Sequence, residues 1–154
     1  MKTIILESAD YQISLNNIQD RKKSAYIDAQ IKTFNNVHSP HHLAARQPEA
    51  ITPLEIYIED KQGSLCGGLI ASTYWGWLFI DDFWIIDVLR GNGYGRLLIE
   101  NAEKEAKERG CTAAWLKTFS FQARGFYKKC GYFVVGQLDN YPPGATFYWM
   151  RKDL

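Results

Sequence analysis

The chain has 154 residues, 46% of them hydrophobic and 23% charged, with a net charge of +1. That length fits one domain around one sizeable core, so residues 1–154 are expected to form a single domain. Near-neutral charge gives no overall attraction to nucleic acid or a membrane surface, and no run approaches the roughly 18–20 apolar residues of a membrane helix.

The opening "MKTIILESADY" is too short in apolar residues for a signal peptide. "YQISLNN" reads as a short strand. "IQDRKKSAYIDAQIKTFNNVH" reads as a helix, with Ile18, Tyr26, Ile27, Ile31 and Phe34 on one broad face and Asp20 as its N-cap. "SPHHLAARQPEAITP" reads as a polar, proline-marked loop. "LEIYIED", "LCGGLIASTYW" and "WLFIDDFWIID" follow, separated by short turns, and suggest an antiparallel meander.

Tyr94 to Arg109 has the pattern of a strong helix. Leu97, Leu98, Ala102 and Ala106 form its apolar face, and Gly110 is its stop. Glu100–Lys104, Glu103–Lys107 and Glu105–Arg109 are spaced as i, i+4 pairs. "CTAAWLKTF" is a strand and "FQARGFYKKC" a short helix, softened by Gly125 by about 1 kcal/mol relative to Ala. "YFVVGQL" and "ATFYWMRKDL" form a last hairpin around "DNYPPG". Strands and helices in this order give an α/β (α+β) domain with a mixed sheet.

Charge is distributed unevenly. Pro48 to Val88 holds seven acidic residues and one basic residue, Lys61, whereas Leu89 to the end holds eleven basic and six acidic. Such skew is either a solvated face or a site negative on one side and positive on the other. Cys66, Cys111 and Cys130 are an odd set without a CxxC pair, as in a reduced, cytoplasmic protein. His38, His41 and His42 lie too irregularly for a metal site to be expected, and no metal is assigned.

The informative stretch is "IDVLRGNGYGRLLIENAEKEAKERG". Glycines let backbone approach a ligand, and a helix start offers unpaired N–H groups with about half a positive charge. Together they suit a phosphate; the plain alternative is a tight strand-to-helix turn without a ligand. The dinucleotide pattern GxGxxG fails, because Arg96 or Leu98 stands where glycine is needed, and Gly-Lys-Ser/Thr is absent.

Arg90, Gly91, Asn92, Gly93, Tyr94 and Gly95 instead spell Arg-x-x-Gly-x-Gly when read with the preceding strand. Here the chain resembles the GNAT superfamily of acyl-CoA-dependent N-acetyltransferases. A second stretch, "ARGFYKKCGYFVVG", resembles that family's short helix bearing Phe-Tyr, followed by Gly and an aromatic. The order of elements matches from about Asn16 to Leu154.

The resemblance implies a mixed, mostly antiparallel central sheet of about six to seven strands flanked by helices, and acetyl-CoA as co-substrate. It places the diphosphate on the backbone of Gly91 to Arg96, with Arg90 and Arg96 as helpers, although Arg96 is equally readable as a solvated helix residue. It pairs the pantetheine arm with Trp84 to Asp87, with an oxyanion-polarising N–H near Ile85 or Ile86. Ser120 stands where many relatives have Asn near the donor. Tyr127 takes the place of the family's general acid; by itself it is also a helix aromatic packed on the sheet.

Asp81 and Asp82 are the candidate bases, or else sheet-surface charges. Alternation along a strand should let only one face a given site. The resemblance implies transfer to a primary amine, and the acidic middle segment favours a small cationic acceptor. A protein lysine or N-terminal acetyltransferase, and a non-catalytic acyl-CoA-binding module, are the other readings. Homodimers are frequent in the superfamily.

Overall fold

The computed structural model describes residues 2–45 and 47–154. Its contacts divide into two compact units, Met1–Arg46 and Gln47–Leu154.

In the first unit β1 (Lys2–Glu7) and β2 (Gln12–Asn16) form an antiparallel hairpin. Helix α1 (Arg21–His38) follows. The Asp20 carboxylate caps it by accepting from the Lys23 N–H at 3.1 Å. Ser39 turns the backbone to an extended conformation and caps α2 (Pro40–Ala44), which has Pro40 in its first turn. β1 and α2 are absent from the sequence reading. The segment from Ser39 to Pro53 was expected to be loop, yet Ser39-Pro40 is itself a helix-start signal.

The second unit is built on six strands: β3 (Thr52–Glu59), β4 (Leu65–Tyr74), β5 (Trp77–Ile85), β6 (Ala113–Phe119), β7 (Phe133–Asp139) and β8 (Thr146–Asp153). Their order is β3-β4-β5-β6-β8-β7, and only β5 and β6 run parallel. This is the mixed, mostly antiparallel sheet expected. The β4–β5 turn closes in two residues, Trp75 and Gly76, both with positive φ, as a tight hairpin requires.

Helices α3 (Tyr94–Glu108) and α4 (Arg124–Lys129) cover one face of this sheet. Leu98, Ile99, Ala102, Ala106 and Tyr127 pack there against Leu69, Ala71, Leu78, Ile80, Leu116, Tyr148 and Met150. Burying each large aliphatic chain contributes about 1.5–3 kcal/mol relative to leaving it in water. The buried stripe of α3 is rotated from the expected one: Ile99 and Glu103 are inside, whereas Leu97 is 54% exposed.

Both helices end in the same hydrogen-bonded stop. Gly110 (φ 81) donates to the Lys107 carbonyl and Cys111 to that of Ala106. Gly131 (φ 93) donates to Lys128 and Tyr132 to Tyr127. This is the double-bonded glycine terminus of helices, and it locks the backbone of Tyr127 to that of Tyr132.

Glu103 does not pair with Lys107 as the helix spacing suggested. It turns inward to Lys152 of β8, Nζ to Oε2 at 2.6 Å, with the carboxylate side chain only 9% exposed. The pair ties α3 to the sheet. Removing one partner strands the other charge, which typically costs about 3–5 kcal/mol, whereas replacing both by apolar groups is often neutral. We expect Lys152→Met to lower unfolding free energy by about that amount, and Glu103→Leu with Lys152→Met to restore most of it. Urea denaturation of the single and double variants measures this; a single variant as stable as the parent would contradict it.

Candidate active site

The site begins where two neighbouring strands part. β5 and β6 pair only from Trp77–Ile80 with Ala113–Leu116, although β5 continues to Ile85 and β6 to Phe119. The cause lies on the other side of β5. Ala71 faces Ile80 but Ile70 faces Asp82, so Asp81 is an extra residue in the ladder. Such a bulge bends its strand and steepens its twist. β5 therefore swings away from β6 just beyond Ile80.

The same bulge corrects the expectation that Asp81 and Asp82 point to opposite faces. Strict alternation fails where two residues stand against one. Both side chains are exposed. Asp82 shares its face with Ile70 by register, the face opposite Leu69 and Phe83, which pack in and against the core.

Beyond the bulge the backbone of β5 offers groups to the gap. The Ile86 N–H donates to the Cys66 carbonyl at 2.9 Å, so it points toward β4. Antiparallel ladders alternate, so Ile85 presents its N–H and C=O toward the gap and Trp84 does not. Of the two amides considered for polarising a carbonyl, that of Ile86 is thus engaged and that of Ile85 is not turned to β4. The Ile85 carbonyl accepts from Arg90 Nε at 2.9 Å, and Arg90 Nη1 also pairs with Asp87 at 2.8 Å. Arg90 therefore fastens the glycine turn to the end of β5.

Gly91 and Gly93 have φ of 78° and 86°, and a Cβ on either would meet nothing within 4 Å. Left-handed backbone with open space beside it is what close approach of a ligand requires. Asn92 Nδ2 reaches back to the carbonyls of Val88 and Arg90, both at 3.4 Å. Gly93 is the N-cap of α3, and no side chain caps that first turn. The Tyr94, Gly95 and Arg96 amides thus open the helix without a side-chain acceptor. These amides and the space beside Gly91 and Gly93 are the candidate anion site.

Gly95 also serves packing. A Cβ there would lie 3.2 Å from the Phe126 ring, so its lack of bulk lets α4 close on α3. Arg96 donates from Nη2 to the Lys129 carbonyl at 3.1 Å and lies 3.8 Å from Glu100, tying the same two helices.

Helix α4 packs beside the parted strands, against β5 and β8. Phe126 packs on Phe83 of β5, with ring centroids 5.8 Å apart. On its other side the Arg124 guanidinium stacks 4.3 Å over Tyr148 of β8 and donates to its hydroxyl at 3.1 Å. Tyr127 stands between them, 7% exposed, edge-on to Phe126 and Tyr132. Its hydroxyl has no hydrogen-bond partner among the described residues. Burial, and next the neighbouring Cys130, push its pKa up to about 12. Tyr127 therefore keeps its proton at neutral pH.

Ser120 is occupied structurally. Its N–H donates to the Thr146 carbonyl at 2.8 Å, and its Oγ accepts from the Thr146 N–H at 3.1 Å, which closes the end of β6 on β8. Among the described residues no group of three or more His, Cys, Asp or Glu is placed to hold a metal ion, and no helix is long and apolar enough to cross a membrane.

Sequence reasoning missed Glu103, Lys152 and Tyr132 behind the site. Burial, followed by the Glu103 carboxylate, pushes the Tyr132 hydroxyl well above the ordinary tyrosine range. Glu103 falls four residues after Ile99 on the buried stripe, a signal available from spacing alone. Arg124, three residues before Tyr127 on the same helix face, was equally readable.

Comparison with known proteins agrees with this geometry. Residues 19–132 match the family model described as the acetyltransferase (GNAT) family. The blasticidin-S acetyltransferase of Streptomyces morookaense is 37% identical over 130 residues, spanning 80% of this chain and 96% of that protein. An acetyltransferase of Agrobacterium fabrum is 32% identical over 64% of this chain and 72% of its own length. A crystal structure of an acetyltransferase from Bacillus cereus superposes with a TM-score of 0.74 at 29% identity, covering 91% of this chain and 97% of the other. The chain belongs to the GNAT acetyltransferase family and is an acetyl-transferring enzyme that draws on acetyl-CoA.

Proposed function

We propose that residues 1–154 act as one N-acetyltransferase domain that moves an acetyl group from acetyl-CoA directly to the primary amine of a small cationic molecule. The observation that carries this reading is Tyr127: a buried side chain with a protonated hydroxyl that makes no hydrogen bond to a described residue, on the helix that packs beside the parted strands. The name of the Streptomyces relative, which gives blasticidin S as its acceptor, supports a small molecule over a protein.

Each residue then has a task. The amides of Gly91 to Arg96 hold the diphosphate, favoured by the positive end of α3. The open edge of β5 at Ile85 pairs with the pantetheine arm and polarises the thioester carbonyl. Arg90 holds that edge and the glycine turn in one geometry. Asp81 or Asp82 accepts a proton from the incoming ammonium, directly or through water, and attracts the cation. Tyr127 gives its proton to the sulfur as the C–S bond breaks. A thiol is ordinarily more acidic than a phenol, about 8.5 against 10. The phenol therefore regains its proton from solvent or the released amine proton before the next turnover.

Two predictions test these assignments. Tyr127→Phe removes an oxygen that bonds nothing, so the fold should survive. We expect kcat to fall about 10²–10⁴-fold while CoA affinity by calorimetry stays within about twofold. Because the folded-state pKa lies above the unfolded one, stability contributed by the protonated Tyr127 is complete below about pH 10 and is lost as pH rises through about 12. A Tyr127→Phe enzyme that folds, binds CoA and keeps the parental kcat would remove the acid role.

For the glycine turn, Gly93→Ala and Gly76→Ala place the same methyl on left-handed backbone with open space beside it. Each should cost about 1–2 kcal/mol of stability. Only Gly93→Ala should weaken CoA binding, by about tenfold or more, or about 1.4 kcal/mol. Equal CoA affinity in the two variants would place the diphosphate elsewhere.

A further inference from the structure

The face of the six-stranded sheet away from α3 and α4 carries an aromatic wall at the open end of the split. Phe119 of β6 stacks on Phe121 at 5.1 Å with the rings 6° from parallel. Phe119 also meets Phe147 of β8 at 5.0 Å, and Phe147 meets Trp149 at 4.8 Å and Tyr141 at 5.9 Å. Register places Phe119, Phe147 and Trp149 opposite to the core residues Leu116, Tyr148 and Met150, on the side that Asp82 shares.

Two observations separate this wall from an ordinary minor core. First, its outermost rings are in water: Phe121 is 67% exposed and Tyr141 57%. A single exposed aromatic needs no explanation, but a stacked series ending in two of them is an apolar surface that something can cover. Second, the backbone beneath them is held. The Tyr141 and Ala145 amides donate to Ala145 and Pro142 carbonyls at 2.9 Å, and Gly144 donates to Asn140 Oδ1 at 2.9 Å. Ser120 and Thr146 lock the strands between Phe119 and Phe147.

Elsewhere on this face the chain's own cations already cover the rings. Lys117 Nζ stands 5.3 Å over Phe79, and Arg151 stands 4.9 Å over Trp77. Among the described residues no Lys or Arg occupies Phe119, Phe121, Tyr141, Phe147 or Trp149 in this way. Phe119 lies on the unpaired end of β6, three residues beyond the last β5–β6 pair, across the gap from Asp81 and Asp82 on the unpaired end of β5, and Phe121 stacks on it.

We infer that this wall selects the acceptor: the amine is carried on a flat, aromatic body that stacks on Phe121 and Tyr141 while the ammonium lies toward Asp81 and Asp82. The inference rests on the small-amine reading above and names the class of molecule it takes. Stacked and edge-on ring pairs favour a flat π system over a saturated ring of equal apolar area.

The test compares 2-phenylethylamine with 2-cyclohexylethylamine, which share the amine and the spacer. Free-thiol release with acetyl-CoA gives kcat/KM for each. We expect the aromatic amine to be favoured about fivefold, mostly in KM, and the preference to fall to about one in Phe121→Leu and Tyr141→Leu. Both positions are exposed, so the variants should fold. A ratio near one in the parent, or a ratio that survives both variants, overturns the inference. If neither amine releases thiol, calorimetry with CoA-loaded protein decides. Tighter binding of the aromatic amine without turnover keeps the wall and rejects the acceptor reading. Equal or undetectable binding of both rejects the wall.

Discussion

A single extra residue in one sheet ladder shapes the whole catalytic unit. Because Asp81 and Asp82 stand against Ile70 alone, β5 leaves β6 after four paired residues. An unbroken ladder would have covered the Ile85 N–H and C=O with β6 and left no space between the strands. The unpaired ends of β5 and β6 are not joined by ladder hydrogen bonds, and α4 packs beside them, on β5 through Phe126 and on β8 through Arg124. That helix carries Tyr127, the proposed general acid.

The electrostatics divide along that break. On one side the first turn of α3 offers uncapped amides, with Arg90 anchored to the adjoining strand end. On the other side two exposed carboxylates, Asp81 and Asp82, face water. Between them the phenol is neutral because burial makes its ionised form costly. In the proposed reaction these become a positive end for a diphosphate, a neutral proton donor and a negative mouth for an ammonium.

Much of this was legible in the residues. The glycine turn and the Phe-Tyr helix could be read because each needs particular residue types at fixed spacing: left-handed backbone at Gly91, Gly93 and Gly131, and a helix stop just after the aromatic pair. The six strands of the sheet were recognisable from alternation and turn residues. What escaped depends on three dimensions. The bulge has no sequence mark beyond two adjacent acids in an apolar run, so its effect on the facing of Asp81 and Asp82 could not be deduced. Gly95, read only as part of a ligand cradle, also accommodates a ring from α4. Ser120, read only as a donor contact, also joins β6 to β8. Glu103 looked like a surface helix charge, because its partner Lys152 lies 49 residues away.

The central claim is that bare amides after β5 hold the donor so that its sulfur lies beside Tyr127. A crystal structure of the protein grown with CoA tests it most directly. We expect diphosphate oxygens within about 3.2 Å of amides between Gly91 and Arg96, and the sulfur within hydrogen-bond reach of the Tyr127 hydroxyl. CoA seated in the apolar groove lined by Trp77, Trp115 and Trp149 at the paired end of the strands, or a sulfur separated from Tyr127 by intervening side chains, would contradict it.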